Sequence, residues 1–213
     1  IKSEIKNNVT CVQSQVAKEK VAFSLQTPGQ HFVTNALGVL ASVAALGGDV
    51  QRAAADLSFW RPGEGRGARK NIHAAFGNFE VIDDAYNANP ASMAAALDVL
   101  ALSKAKRRVA ILGDMRELGP NAQKIHADLS NLQAFENIDL VHTVGPHMEG
   151  LYLKLAKKQK GLHSQTAQDL LGRFEYTFQE DDCILIKASL GTGLGVIVKS
   201  LCALDQTPQK VTK

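Results

Sequence analysis

Residues 79–113 read FEVIDDAYNANPASMAAALDVLALSKAKRRVAILG, and this stretch decides the fold. It opens on an apolar run, FEVID (79–83), that reads as a buried strand. A polar turn follows, then a segment over 90–103 with Met93, Ala96, Leu97, Leu100 and Ala101 at helical spacing. The stretch closes on a second apolar run, RVAILG (108–113). Strand, helix and strand at this spacing form a βαβ unit, which implies parallel strands covered on both faces.

The same alternation continues toward the C-terminus. The pattern predicts a helix over 121–135, a strand over 140–145 (LVHTVG), an amphipathic helix over 146–160 and a helix over 166–174. A strand over 183–188 (CILIKA) and a helix over 195–204 complete it, and the tail QTPQKVTK reads as loose. Toward the N-terminus the character changes. Residues 1–27 read as short strands, with VTCVQSQV and KVAFSLQT rich in Val, Phe and Thr. After the Pro28-Gly29 turn come two helices, over 34–46 and 49–57, the first stopped by Gly47-Gly48. The run FWRPGEGRGARKN (59–71) mixes breakers with charges and reads as a linker. The expected organisation is a first segment over 1–61 and a doubly wound α/β domain over 62–213.

Composition narrows the function classes. The chain has 213 residues, 45% of them hydrophobic and 21% charged, so it can build a core without disulfide staples. Twenty-four Lys and Arg against 21 Asp and Glu give +3, too small an excess to point to nucleic acid. The three cysteines, Cys11, Cys183 and Cys202, show no metal-ligand spacing, so a reducing compartment and no structural zinc are expected. No run reaches the ~18 apolar residues of a membrane span, and the charged, polar opening IKSEIKNN does not read as a signal peptide.

The polar punctuation falls after strands. DDAYNAN follows 79–83, GDMRE follows 108–113, GPH follows 140–145, and KASLGTG follows 183–186. In an open α/β sheet the carboxyl ends of the strands, with the helix N-termini beside them, bind anionic ligands. Asp84 is placed to accept hydrogen bonds from a ribose diol, or to cap the next helix. Asn89, before Pro90, has the position of an N-cap, whereas Asn87 lies too far upstream for that. The GTGLG of 191–195 follows a strand and precedes a helix. It spells G-x-G-x-G, however, and no further β-unit follows to supply a ribose-binding acid, which argues against a dinucleotide fingerprint.

Five runs in order, PGQHFVTNALGVLASVAALGGD, RPGEGRG, VIDDAYNANPASMAAALDVL, VAILGDMRELG and ILIKAS, resemble the Mur ligase family, in its dipeptide-adding branch. The resemblance covers about 20–200. It implies that residues 1–61 correspond to the end of a central, P-loop ATPase-type domain. Residues 62–213 then correspond to the C-terminal Rossmann-like ligase domain. Such enzymes use ATP and Mg2+ to activate a carboxylate as an acyl-phosphate, which an amine then attacks. The implied substrates are UDP-N-acetylmuramoyl-tripeptide and D-alanyl-D-alanine, the implied setting the bacterial cytoplasm, and the implied state a monomer. Carried over by position, Asn35 would contact adenine, Arg66 the phosphates and Asp84 the ribose. Asn87, Asn89, Lys187 and Ser189 would line the acceptor side, and His31 would be structural.

The chain departs from the family pattern in two places. It contains no GxxxxGK[ST] phosphate loop and no counterpart of the central domain's metal ligands, so no catalytic or metal-binding residue is expected in it. In the loop 187–193, Ala188 stands where relatives have Gly, and Gly193 where an Arg is expected; an Ala in a position needing positive φ predicts strain. Two alternatives remain at this stage. One is a non-catalytic copy acting as a binding module. The other is a folylpolyglutamate synthase-like ligase, which the YNAN loop argues against.

Overall fold

A computed structural model describes residues 1–6, 8–173 and 178–206; the tail from 207 on and the end of the helix expected over 166–174 lie outside the described residues. The chain divides into two compact units, Ile1–Pro62 and Gly63–Lys213.

The first unit is a three-stranded antiparallel meander, β1 (Lys2–Lys6), β2 (Val9–Val16) and β3 (Glu19–Leu25), followed by α1 (Gln30–Ala45) and α2 (Val50–Asp56). Its strands obey the two-residue period of a sheet with one covered face. Thr10, Val12 and Val16 of β2 are buried while Cys11, Gln13 and Gln15 are exposed. Val33, Ala36 and Leu40 of α1 and Val50 and Ala54 of α2 complete that core with Val21, Phe23 and Leu25. Asp49 caps α2 by accepting from the Arg52 N–H at 2.9 Å.

The second unit holds a six-stranded sheet in the order β4-β5-β9-β6-β7-β8. Its elements are β4 (Ala68–Ala74), β5 (Gly77–Asp84), α3 (Pro90–Ala101), β6 (Arg107–Gly113), α4 (Ala122–Asp128) and β7 (Leu140–Val144). Then come α5 (Glu149–Lys154), β8 (Lys160–Ser164), α6 (Ala167–Leu171), β9 (Asp182–Lys187) and α7 (Gly195–Cys202). Only β4 runs antiparallel to its neighbour; the other pairings are parallel. Alternate residues of the central strands feed two cores. Ile82, Ala110, Leu112 and Leu185 face Met93, Leu97 and Leu100 of α3, while Val81, Val109, Ile111, Ile184 and Ile186 face Ile197, Val198 and Leu201 of α7. This is the doubly wound architecture expected. The last strand, β9, returns to slot between β5 and β6 and is buried along its whole length. The return brings the loops after β5, β6 and β9 to adjacent positions on one edge.

Several boundaries differ from expectation. Residues 68–71, read as linker, open the edge strand β4, whose polar residues suit a strand with one free side. β8, an edge strand with half-buried residues, also escapes the apolar-run criterion. The helix expected over 121–135 is α4 followed by two 3-10 turns, and that over 146–160 contracts to α5.

Candidate functional site

The carboxyl ends of β5 and β9 form the most constrained part of the edge. Asp84 and Lys187 are the last residues of their strands and sit opposite each other in register. Lys187 is only 1% exposed. A buried ammonium must be paired, and its Nζ donates to Asp84 Oδ2 at 2.6 Å and to the Asn87 carbonyl at 2.9 Å. Burial pushes the Asp84 carboxyl above its ordinary range, against the opposing pull of Lys187. The other carboxylate oxygen of Asp84 has no partner among the described residues, and the side chain is 20% exposed.

The neighbouring Asp83 fastens the GEGRG run to the same edge. Its Oδ2 accepts from the Gly65 N–H at 3.0 Å and its carbonyl from the Gly67 N–H at 2.8 Å. The Gly65 carbonyl in turn accepts from the Tyr86 N–H at 3.1 Å. Gly65 has φ +71, and a Cβ there would stand 2.8 Å from Tyr86 Cβ, so both conformation and space require glycine. Arg66, between the two glycines, lies over the Tyr86 ring at 4.4 Å from its centroid. Its charge reaches Asp84.

A second knot joins the loops after β6, β7 and β9. Asp114 accepts from the Met148 N–H at 2.9 Å and the His147 N–H at 3.3 Å. Its carbonyl accepts from the Ser189 N–H at 3.2 Å and from Thr192 Oγ1 at 2.9 Å. Ser189 Oγ accepts from the Arg116 N–H at 2.9 Å, and the Arg116 guanidinium donates to the Gly191 carbonyl at 2.6 Å. Beneath the loop, buried His126 accepts the Met115 N–H at Nε2 (2.8 Å) and its Nδ1 lies 2.6 Å from the Ala122 carbonyl. That pattern requires neutral imidazole, with the proton on Nδ1, and burial lowers the His126 pKa.

The second unit thus brings Arg66, Asp84, Asn87, Lys187 and Ser189 to the strand-end edge, Arg66 and Asn87 being exposed and Ser189 buried. Asn89 is occupied as the cap of α3: its side chain accepts from the Ser92 N–H at 2.8 Å and Ser92 Oγ accepts from the Asn89 N–H at 3.0 Å. Asn35 is an exposed residue of α1 in the first unit, and the His31 ring packs 3.9 Å from Phe32. Sequence reasoning missed Tyr86 and Arg116. The glycines flanking Arg66 were a signal that something packs closely there; nothing in the sequence singles out Arg116.

The strain expected at Ala188 is absent. Ala188 is not among the residues with positive φ; it is fully buried, and its Cβ packs over Gly113, where an added Cβ would stand 2.7 Å away. Gly193, in contrast, has φ +78, a conformation that an Arg would strain. The loop is therefore built around its own residues rather than damaged by them.

Among the described residues no group of three or more His, Cys, Asp or Glu is placed to hold a metal, and no helix is long and apolar enough to cross a membrane.

Comparison with known proteins agrees with this architecture. Over 169 residues the chain is 34% identical to UDP-N-acetylmuramoyl-tripeptide–D-alanyl-D-alanine ligase of Rickettsia prowazekii, covering 79% of the chain and 37% of that protein. MurF from Acinetobacter baumannii superposes with a TM-score of 0.77 at 27% identity, covering 94% of this chain and 44% of that one. MurF of Thermotoga maritima, solved in complex with ADP, gives the same TM-score at 19% identity over 96% and 45% of the two chains, which speaks for the fold. The chain spans about two fifths of the length of these relatives. Residues 68–190 match the family model described as Mur ligase, glutamate ligase domain, and the chain belongs to the Mur ligase family.

Proposed function

We propose that the chain is the C-terminal part of an ATP-dependent amide ligase that joins D-alanyl-D-alanine to UDP-N-acetylmuramoyl-tripeptide. Residues 1–61 would be the end of its central domain and 62–213 its ligase domain. The observation that carries this reading is the half-open Asp84–Lys187 pair at the strand ends, flanked by Arg66 on Tyr86. The names of the relatives and the ADP held by the Thermotoga maritima protein support it.

Bound ATP would supply the phosphoryl group that activates the tripeptide carboxylate; this chain's residues bind and orient. The unpartnered oxygen of Asp84 suits a ribose hydroxyl, and the exposed Arg66 guanidinium suits phosphate. Lys187 is held in place by Asp84 and the Asn87 carbonyl. It acts as a fixed positive charge next to the reacting groups, preorganised rather than recruited. Asn87 and Ser189 lie beside it on the acceptor side.

The test is a graft. The chain replaces the matching C-terminal part of the Acinetobacter baumannii enzyme, and ATP-dependent formation of the pentapeptide product is followed by mass spectrometry. Activity is expected, with Lys187→Ala lowering it at least a hundredfold in folded protein. A folded graft without activity, or one indifferent to Lys187→Ala, would reject the reading. By itself the 213-residue chain, which has no phosphate loop, is expected to release no phosphate from ATP.

A further inference from the structure

The loop after β6, residues 114–118, follows a path that its own backbone does not favour. Glu117 has φ +64 without being glycine, and Gly119 just beyond it has φ +65. The loop is therefore held from outside. The Met115 N–H donates to His126 Nε2 at 2.8 Å, the Arg116 N–H to Ser189 Oγ at 2.9 Å, and the Arg116 guanidinium to the Gly191 carbonyl at 2.6 Å. Among these three acceptors only the His126 ring can take up a proton.

His126 lies on α4, 0% exposed, with Nδ1 2.6 Å from the Ala122 carbonyl. With the Nδ1 proton committed there, Nε2 is a bare acceptor for the Met115 N–H. A second proton turns Nε2 into a donor, so two N–H groups then face each other at hydrogen-bond distance. The surroundings decide when this happens. Burial is the largest influence and opposes protonation. The Ala122 carbonyl and the Asp114 carboxylate favour it, and a charge on His147, whose exposed ring stacks 5.3 Å away, opposes it again. The outcome is a pKa below the ordinary 6.5. Other charges on the elements around the ring are paired or exposed. On α4, Lys124 pairs with Asp128 at 2.7 Å, and Lys154 of α5 lies 3.5 Å from Asp128. Glu149 of α5 is exposed, as are Arg116 and Glu117 of the loop. The closed loop is thus fully favoured above pH 6.5 and loses that support as pH falls through the lowered value.

We propose that His126 is a pH-sensitive latch at the carboxyl edge of the sheet: neutral, it holds loop 114–118 closed, and doubly protonated, it releases Met115 and with it Arg116. Release frees Ser189 Oγ from the Arg116 N–H, so the charge of one buried imidazole is felt in the loop after β9. The latch is a property of the loops themselves and stands apart from the ligase reading. Within that reading it sets the pH range in which the Ser189 side of the site is assembled.

The 213-residue chain is followed by nuclear magnetic resonance between pH 7.5 and 5, a range in which His142, with its pKa of about 4, stays neutral. The His126 ring signals report its protonation, and amide hydrogen exchange, corrected for the intrinsic effect of pH, reports the loop. Protection of the Met115 and Arg116 N–H groups is expected to fall at least tenfold in step with the ring titration. The buried strand residues Ile111 and Ile186 report global opening and are expected to stay within twofold. His126→Gln keeps an acceptor for Met115 but cannot be protonated, and its loop is expected to stay protected at pH 5. His147→Gln, at an exposed position, is expected to move the ring titration and the loss of protection together to higher pH, a result that serves even if His126→Gln does not fold. Protection that falls equally in His126→Gln would overturn the proposal. So would a ring that stays neutral until the whole chain unfolds, which makes His126 a fixed anchor. A loss of protection that stays in place while His147→Gln shifts the ring titration would also overturn it.

Discussion

At its first residue, β9 sets Asp182 against Arg107; at its last, it sets Lys187 against Asp84. Both are ion pairs with a fully buried member, yet they are finished differently. Arg107 Nε donates to Asp182 Oδ1 at 2.8 Å and Nη2 to Oδ2 at 2.7 Å, and the Gln179 N–H adds a third bond to Oδ2 at 2.9 Å. Both oxygens of that carboxylate are used and its side chain is 0% exposed. Asp84 uses one oxygen and keeps the other toward the surface. A closed pair fastens a strand; a half-open pair at the carboxyl edge keeps binding capacity that a ligand can take up.

By that contrast the closed pair matters most for folding. Asp182→Asn places an amide where the carboxylate accepts three donors, and is expected to cost about 3 kcal/mol of unfolding free energy. Asp84→Asn takes the counter-charge from a buried ammonium but leaves it an amide oxygen and the Asn87 carbonyl at an edge where the Asp84 side chain is 20% exposed, and is expected to cost less than Asp182→Asn. Urea unfolding of both variants checks this. Equal losses would erase the distinction between the two ends of β9.

A comparable effect is expected from pH, at a buried imidazole that also feels the charge of Arg107. Burial lowers the His142 pKa from 6.5 to about 4, and its Nδ1 accepts the Leu162 N–H at 3.0 Å. Between those values the unfolded chain binds a proton that the folded chain refuses. Stability is therefore intact above about pH 6.5 and falls as pH drops toward 4, by about 3 kcal/mol in all. His126, whose pKa is also lowered by burial, acts in the same direction. Unfolding curves between pH 7.5 and 4.5 should show this slope, and His142→Gln should flatten it. A slope unchanged in that variant would assign the effect to other groups.

The two ends of β9 also show what could be read from sequence. The runs over 79–83, 108–113 and 183–188 announced central strands because strands buried on both faces are continuously apolar, and the polar residues after them marked the loops at the carboxyl edge of the sheet. The edge strands β4 and β8 were illegible for the opposite reason: with one side free they carry Lys, Arg, Asn and His like any loop. Asp84 and Lys187 were each singled out, but not their contact. Residues 103 positions apart become partners only because β9 slots between β5 and β6. Arg116 stayed hidden because its relation to Gly191 depends on the same insertion.

In the grafted ligase, the open side of Asp84 gives a smaller and more specific effect. Asp84→Ala is expected to raise the Michaelis constant for ATP about tenfold, or about 1.4 kcal/mol, and more than that for the dipeptide. Steady-state kinetics with each substrate varied in turn separates the two. An effect confined to the dipeptide would move Asp84 to the acceptor side and make the pair a single-substrate device.

The smallest effect concerns the loop that follows the open pair. Were Ala188 a strained substitute for glycine, Ala188→Gly would stabilise the protein and improve a grafted ligase. The structure predicts the reverse. Ala188 has no positive φ, is buried, and presses its methyl group onto Gly113. Glycine there would add backbone freedom to the unfolded chain and remove a packed methyl, together about 1 kcal/mol. For a chain of this size that lowers the melting temperature by roughly 2–4 °C. Gly193→Ala, in open space but at φ +78, is expected to cost a similar amount through backbone strain alone. Thermal melts of the two single variants decide between the accounts. A rise in melting temperature for Ala188→Gly would mean that the loop after Lys187 is under strain, and that the open end of β9 is a weakened copy of a better site.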